Sequence, residues 1–259
     1  MIILKTIEEV ALMREGGRIA ASVMEAVSGL IKPGISTLEI DQLTGKLIVE
    51  RGAKPSFKGF EGYKFSSCIN VNEGVVHGIP KKNIVLKPGD VVKVDLGVLY
   101  KSFNTDTAFS CLVKGGGYGE SDFKEKERFL RVGREALSKA IGQCKIGNRI
   151  GDISAQIQRT VESAGYGVVE ELVGHGVGKS LHEDPQVPGL GKPHIGVLLR
   201  EGMTLAIEVI YTMGGSEIVL DDDGWTLSTL DGKMAGLFEH TVSLSKEGVE
   251  VLTLGRCLC

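Results

Sequence analysis

The sequence predicts an α+β fold, an antiparallel sheet backed by two helix pairs with pseudo-twofold symmetry. Three observations carry this. First, Leu86-Lys-Pro-Gly-Asp-Val-Val-Lys-Val-Asp95 recurs as Leu199-Arg-Glu-Gly-Met-Thr-Leu-Ala-Ile-Glu208, and the same offset of 113 takes Gly34 to Gly147, Ile40 to Ile153 and Gly52 to Gly165. One offset shared by separated stretches marks an internal repeat. Second, both halves run through the same order, two helical stretches and then two of alternating apolar residues. Third, helix starts are written into the sequence as capping boxes. The chain therefore reads as one domain, residues 1–259, built from two related halves, about 1–114 and 120–259. Gly115-Gly-Gly-Tyr-Gly119 is their expected joint.

Thr6-Ile-Glu-Glu9 is the first capping box and opens a helix to about Leu30, stopped by Lys32-Pro33-Gly34. Ser36-Thr-Leu-Glu39 is the second and opens a helix ending near Gly52. In the second half, Asp122 to about Ile141 and Ile150 to about Ala164 repeat the pair. The β-branched, period-2 stretches Val91–Tyr100, Thr105–Val113, Thr204–Met213 and Leu237–Leu244 are the expected strands.

Composition narrows the function. Thirty Lys and Arg against 33 Asp and Glu give a formal charge of -3, which disfavours nucleic acid as the main partner. No run of 18 apolar residues predicts a membrane span, and the N-terminus lacks the apolar stretch of a signal peptide. The expected location is the cytoplasm. Five cysteines, an odd number, read as reduced thiols rather than a disulfide framework. Cys257 and Cys259 read as a solvated tail rather than a metal pair.

The chemistry sits in the strands. In Val92-Lys-Val-Asp-Leu-Gly-Val98, Asp95 lies on the face opposite the valines. A turn centred on Tyr100 and Lys101 is expected to bring Asp106 opposite Asp95. Facing carboxylates repel, and a bound cation is the simplest remedy; taken alone, the pair also reads as two solvated hairpin charges. The repeat adds Glu208 at the position of Asp95, and Glu239 stands in Leu237-Phe-Glu-His-Thr-Val242. Both stretches are too apolar to hold a free carboxylate cheaply. His175, in the loop expected at Gly174-His-Gly-Val-Gly178, is the natural nitrogen ligand among such acids. Carboxylates with one imidazole suit Mn, Fe, Co or Zn. Five ligands fit a pair of ions about 3.5–4 Å apart. His77 and His182, each expected to cap a strand or loop, remain outside the ligand count as candidate donors to a developing oxyanion or departing amine.

At these residues the sequence resembles the type I methionine aminopeptidases of the pita-bread (creatinase/aminopeptidase) fold, in their short bacterial form. The resemblance runs from about Thr6 to Leu254. It is carried by Asn72-Glu-Gly-Val-Val-His-Gly-Ile-Pro80, the Asp95/Asp106 spacing, Gly174-His-Gly-Val-Gly178 with His182-Glu-Asp-Pro-Gln-Val187, Asp223-Gly-Trp-Thr226 and Phe238-Glu-His-Thr241. It implies a single catalytic domain with Asp95, Asp106, His175, Glu208 and Glu239 as ligands of two divalent metals. It implies a metal-activated hydroxide attacking the first peptide bond and the substrate amine bound to one metal. Glu208 shuttles the proton, His182 steadies the tetrahedral oxygen and His77 contacts the scissile nitrogen. By position it makes Phe57, Phe60, Tyr63, Cys68, Leu181 and Trp225 the methionine pocket. Phe57, Phe60, Leu181, Leu237 and Gly74 depart from the Cys, Tyr, Phe, Gln and branched aliphatic common there.

The resemblance further implies a monovalent cation near Asn72, nascent polypeptide N-termini as substrate when the second residue is small, possible docking on the ribosome, and a monomer. Beginning Met1-Ile2, the chain is expected to keep its own initiator. Two alternatives share the fold: an Xaa-Pro aminopeptidase, which usually carries an extra N-terminal domain, and a non-catalytic binding protein, which loses ligands. A nucleotide-binding reading of Gly174-His-Gly-Val-Gly-Lys-Ser180 fails because the spacing is one residue short of a phosphate loop.

Overall fold

The computed structural model describes residues 1–116 and 119–255. Gly117 and Tyr118 of the expected joint, with Cys257 and Cys259, lie outside the described residues. In order, the elements are α1 (Ile7–Ser28), α2 (Thr37–Glu50), β1 (Lys54–Pro55), β2 (Cys68–Val71), β3 (Gly74–Val76), β4 (Val91–Tyr100) and β5 (Phe103–Leu112). There follow α3 (Glu120–Ile141), α4 (Ile150–Ser163), β6 (Gly167–Val168), β7 (Val173–Gly176), β8 (Glu183–Pro188) and β9 (Thr204–Thr212). The chain closes with β10 (Ile218–Leu220), β11 (Leu227–Thr229), β12 (Ala235–Ser245) and β13 (Gly248–Val251).

Both capping boxes form: Thr6 and Ser36 accept from the amides of Glu9 and Glu39, whose carboxylates reach back to the cap amides. The four helices and four long strands match the expected ones to within a few residues. The main sheet has the path β1-β4-β5-β12-β9-β7-β8, with β2 on β4, β6 on β9 and β13 on β12, all antiparallel. The hairpin β4–β5 of the first half meets β9–β12 of the second along the β5–β12 seam. Helix α1 packs on β4 and β5, and α3 packs on β9 and β12.

The repeat extends to the backbone. Gly34 N donates to Leu86 O and Leu86 N to Ile35 O; Gly147 N donates to Leu199 O and Leu199 N to Asn148 O. The bridges Ser36–Val85 and Arg149–Leu198 correspond at the same offset.

Period-2 alternation sorts the two faces of the sheet. Val92, Val94, Leu96, Val98, Phe109, Leu205, Ile207, Val209, Tyr211, Phe238 and Val242 are buried in the main core, with residues of α1, α3 and α4. The intervening residues face away from the helices, and these carry the chemistry. Among the described residues no helix is long and apolar enough to cross a membrane. The strands not expected from sequence are short. Two of them, Val173–Gly176 and Glu183–Pro188, fall where Gly and Pro interrupt the alternation.

Candidate active site

Backbone register brings the acids together. One rung crosses β2, β4, β5, β12 and β9 as Cys68, Asp95, Ala108, Glu239 and Glu208. Residues paired across antiparallel strands project to the same face. Asp106 lies two residues from Ala108 and shares that face. So does His175, which pairs with Ala206, two residues from Glu208. Four carboxylates and one imidazole therefore converge from five strands.

Two expectations are corrected here. Asp106 pairs with Gly97, not Asp95, which pairs with Ala108. The turn is the two-residue Lys101-Ser102, with φ of 45° and 72°. Both residues are left-handed, as the twist of a tight hairpin demands, and this moves the register by two. The acids become diagonal neighbours on one face. His175 sits on strand β7, paired on both sides, rather than in a loop. Its flanking glycine serves close strand approach: a Cβ on Gly174 would lie 2.4 Å from Ala206 O. Gly174→Ala is expected to push β7 off β9 at a cost of about 1–3 kcal/mol. It should weaken divalent-metal binding by displacing His175. Calorimetric metal titration checks this, and an unchanged affinity would refute the close-approach argument.

Donor atoms of Asp106, His175 and Glu239 lie within 4.8 Å of one another, and His175 Nε2 is 3.5 Å from Glu208 Oε1. His175 Nδ1 donates to Gly176 O at 2.8 Å, leaving the Nε2 lone pair for a cation. Asp106 is only 4% exposed and Asp95 Oδ1 is buried, so the hairpin pair is not two solvated charges; Glu239 is 3% exposed. Burial, with mutual repulsion, raises Asp95, Glu208 and Glu239 well above the usual carboxylate range, and burial raises Asp106 to about 7. Asp95 Oδ1 is buried without any hydrogen-bond partner. An orphaned carboxylate oxygen inside a ring of acids fits a divalent cation.

His77 follows β3 with φ of 56°, and His182 immediately precedes β8. The His182 ring centre lies 4.4 Å from that of His175 and 5.3 Å from that of Phe60. Burial lowers the pKa of both His77 and His182, so each is a neutral imidazole with one N–H at neutral pH.

The expected pocket residues also meet. Phe57, Tyr63, Cys68 and Leu181 form a buried cluster, with Phe60, Phe65, Ile79 and Trp225 packed against it. One cavity of about 120 Å³ is lined by Phe57, Phe60, Tyr63, Cys68, Leu181 and Trp225 together with His77, His182 and all five expected metal ligands. Glu61 and Val76 line it too and were not foreseen. Val76 carried a signal, since it directly precedes His77; Glu61, an exposed acid between Phe60 and Gly62, carried none.

Two buttresses were also missed. Asp41 Oδ1 accepts from Ser66 N, Ser67 N and Ser67 Oγ, fixing the entry to β2 and Cys68. Asp223 accepts from Trp225 N, Thr226 N, Thr226 Oγ1 and Lys81 Nζ. Although burial alone would raise it, these donors hold the Asp223 carboxyl well below its usual range. The Asp-Gly-Trp-Thr turn was the available signal, because an Asp oxygen there caps its own following amides.

The implied monovalent cation does not fit. Asn72 O accepts from Lys93 Nζ at 2.6 Å and from Ala235 N at 2.9 Å, and Asn72 Oδ1 accepts from Val91 N at 3.0 Å. Burial pushes the Lys93 ammonium down to about 7, and Glu73 and Asp90 act to keep it charged.

The model of metallopeptidase family M24 matches residues 11–246. The chain belongs to that family. Among its relatives, methionine aminopeptidase 1 of Bacillus subtilis is 44% identical over 253 residues, covering 98% of this chain and 99% of the relative. The solved methionine aminopeptidase of Thermotoga maritima superposes with a TM-score of 0.93 at 43% identity, covering 98% and 99% of the two chains. The prolidase of Pyrococcus furiosus shares the fold, with a TM-score of 0.77 at 23% identity, and this chain covers 66% of it. Membership makes the M24 chain a divalent-metal hydrolase of the pita-bread fold, and the acid ring with His175 is a group of residues able to hold the metal.

Proposed function

We propose that this chain is a methionine aminopeptidase, removing the initiator methionine from nascent polypeptides when the second residue is small. The observation that carries the reading is the shared cavity. An apolar pocket sized for one side chain opens directly onto the five acid and imidazole donors. Full-length identity to methionine aminopeptidases supports it. The single catalytic domain then comprises two related halves with its site at their seam.

Asp95, Asp106, His175, Glu208 and Glu239 hold two divalent ions, with Co, Mn, Fe and Zn all compatible with these donors. Divalent ions bound there supply Lewis-acid polarisation and a more acidic water. The chain's own residues do the rest. Glu208 takes up the proton released by the attacking water and returns it to the leaving amine. His182 donates its N–H to the carbonyl oxygen as negative charge develops there. His77 contacts the scissile nitrogen. Phe57, Phe60, Tyr63, Cys68, Leu181 and Trp225 enclose the methionine side chain, whose thioether packs favourably on aromatic rings. The N-termini acted on are those of newly made chains, so the cytoplasm, with or without docking on the ribosome, is the setting. A monomer suffices because one chain supplies every site residue.

Trp225→Ala removes one aromatic wall. It is expected to raise KM for methionyl peptides by about 10–100-fold, the worth of a buried aromatic contact of roughly 1.5–3 kcal/mol, with a smaller change in kcat. Steady-state kinetics check this. The function is tested by hydrolysis of Met-Gly-Met-Met, Gly-Pro-Met-Met and Met-Phe-Met-Met with Mn(II) or Co(II), and with chelator. Chelator-sensitive release of Met from the first peptide alone is expected. Cleavage of Gly-Pro-Met-Met instead would make the chain an Xaa-Pro aminopeptidase, and no cleavage with any metal would make it a binding protein.

A further inference from the structure

Lys93 is the one charged residue of β4 besides Asp95, and it lies on the same face of the sheet. It is 1% exposed. Burying an ammonium is costly unless acceptors compensate, so its retention needs a physical reason. Its Nζ donates to Asn72 O at 2.6 Å. Asn72 lies in the turn between β2 and β3 and is itself left-handed, with φ of 50°. Its carbonyl also takes the Ala235 amide at 2.9 Å, so both carbonyl lone pairs are used. Its side chain is tied as well, accepting from Val91 N at 3.0 Å and donating to Asp90 Oδ1 at 2.9 Å.

The corner joins three parts of the active site. The β2–β3 turn leads to His77, Ala235 begins the strand that carries Glu239, and Lys93 precedes Asp95 by two residues. Asp90 and Glu73 supply negative charge around it. An alkali ion placed here would need the oxygens already occupied by N–H groups. An ammonium offers the same charge with directed donors.

We infer that the Lys93 ammonium is the resident cation of the Asn72 corner, so that this chain binds no sodium or potassium there. The lysine holds the His77-bearing hairpin against the metal-ligand strands by its own covalent tether. The Asn72 carbonyl is therefore occupied by the tethered amine at any salt composition. The inference is independent of the peptide substrate.

The test is thermal unfolding of the full chain in sodium, potassium and choline chlorides at equal ionic strength, with the divalent metal held constant. The three midpoints are expected to coincide. A saturable rise with sodium or potassium over choline in the unmodified protein overturns the inference. Lys93→Ser removes the amine and frees the Asn72 carbonyl. It is expected to lower the midpoint in choline and to regain part of the loss in sodium or potassium. A Lys93→Ser protein that folds with one midpoint in all three salts also overturns it, because the amine then fills no cation's place. If Lys93→Ser does not fold in any salt, the unmodified protein's comparison decides.

Discussion

Asp95→Asn is expected to abolish peptide hydrolysis and, in the metal-free protein, to raise the thermal midpoint. The two effects share one cause. Asp95 Oδ1 is buried and has no hydrogen-bond partner, and Asp95 is raised by burial and then by the charges of Asp106 and Glu208. Without metal the carboxylate is an uncompensated acid among acids. An amide of the same shape carries no charge and can donate to Asp106. The relief is on the order of 1–3 kcal/mol, the usual penalty for a buried unsatisfied polar group. With metal the sign reverses, since the carboxylate becomes a charged ligand. Loss of a direct ligand should exceed the roughly 10–100-fold that outer-shell partners are worth in metal affinity or activity. Differential scanning calorimetry with and without chelator, alongside peptide hydrolysis, reads both. A metal-free Asp95→Asn protein less stable than its parent would show that the acids are not in conflict.

The same conflict sets a pH dependence. Asp106 rises from 3.8 to about 7 on folding. Between those values the folded, metal-free protein binds more protons than the unfolded chain. Stability then falls as pH rises. The chelated protein should therefore lose stability from about pH 4 to 7. Added divalent metal should reverse that slope by displacing the protons. Thermal midpoints at pH 5 and 7, with and without chelator, check the sign.

How much of this was legible in the sequence follows from physical range. Capping boxes and strand alternation are local, and the helices and long strands were readable from them. The repeat placed Glu208 as the counterpart of Asp95, and the structure puts both on one rung with Ala108 and Glu239 between them. What failed depended on backbone angles. The register of Asp106 turned on Lys101 and Ser102 being left-handed, which neither residue type advertises. In sequence, the glycines around His175 read as a turn; in the fold they mark strands close enough to exclude a Cβ. The Lys93 contact with Asn72 joins residues whose meeting depends on three strands packing, so a period-2 pattern alone could not show it. Asp41 acts on the amides of Ser66 and Ser67, 25 and 26 residues away, a separation that no local pattern marks, whereas Asp223 caps the amides of its own turn and was open to reading from it.

Lys5→Met is expected to destabilise the protein by about 3–5 kcal/mol, the cost of leaving one charge of a buried pair uncompensated. Lys5 Nζ donates to Glu183 Oε2, and the two side chains are 2% and 4% exposed. The pair is built in by glycine: a Cβ on Gly178 would lie 2.4 Å from Lys5 Cε and 2.6 Å from Glu183 Oε1. Glu183 Oε1 also accepts the Ser180 amide at 3.2 Å, and Asn104 Nδ2 holds the carbonyls of Gly178 and Lys179 at 3.0 and 3.1 Å. Leu181 and His182 lie between these anchors, one lining the pocket and one against His175. Removing the ammonium therefore loosens the segment that presents both. At temperatures where Lys5→Met remains folded, KM should rise and kcat should fall together. The double variant Lys5→Met with Glu183→Leu removes both charges and should recover part of the stability. It should not recover kcat fully, because the Ser180 amide then has no acceptor to fix the turn before His182. Urea unfolding with steady-state kinetics on a methionyl peptide separates the two effects. A Lys5→Met protein with an unchanged midpoint would mean that water, not the ion pair, carries this segment.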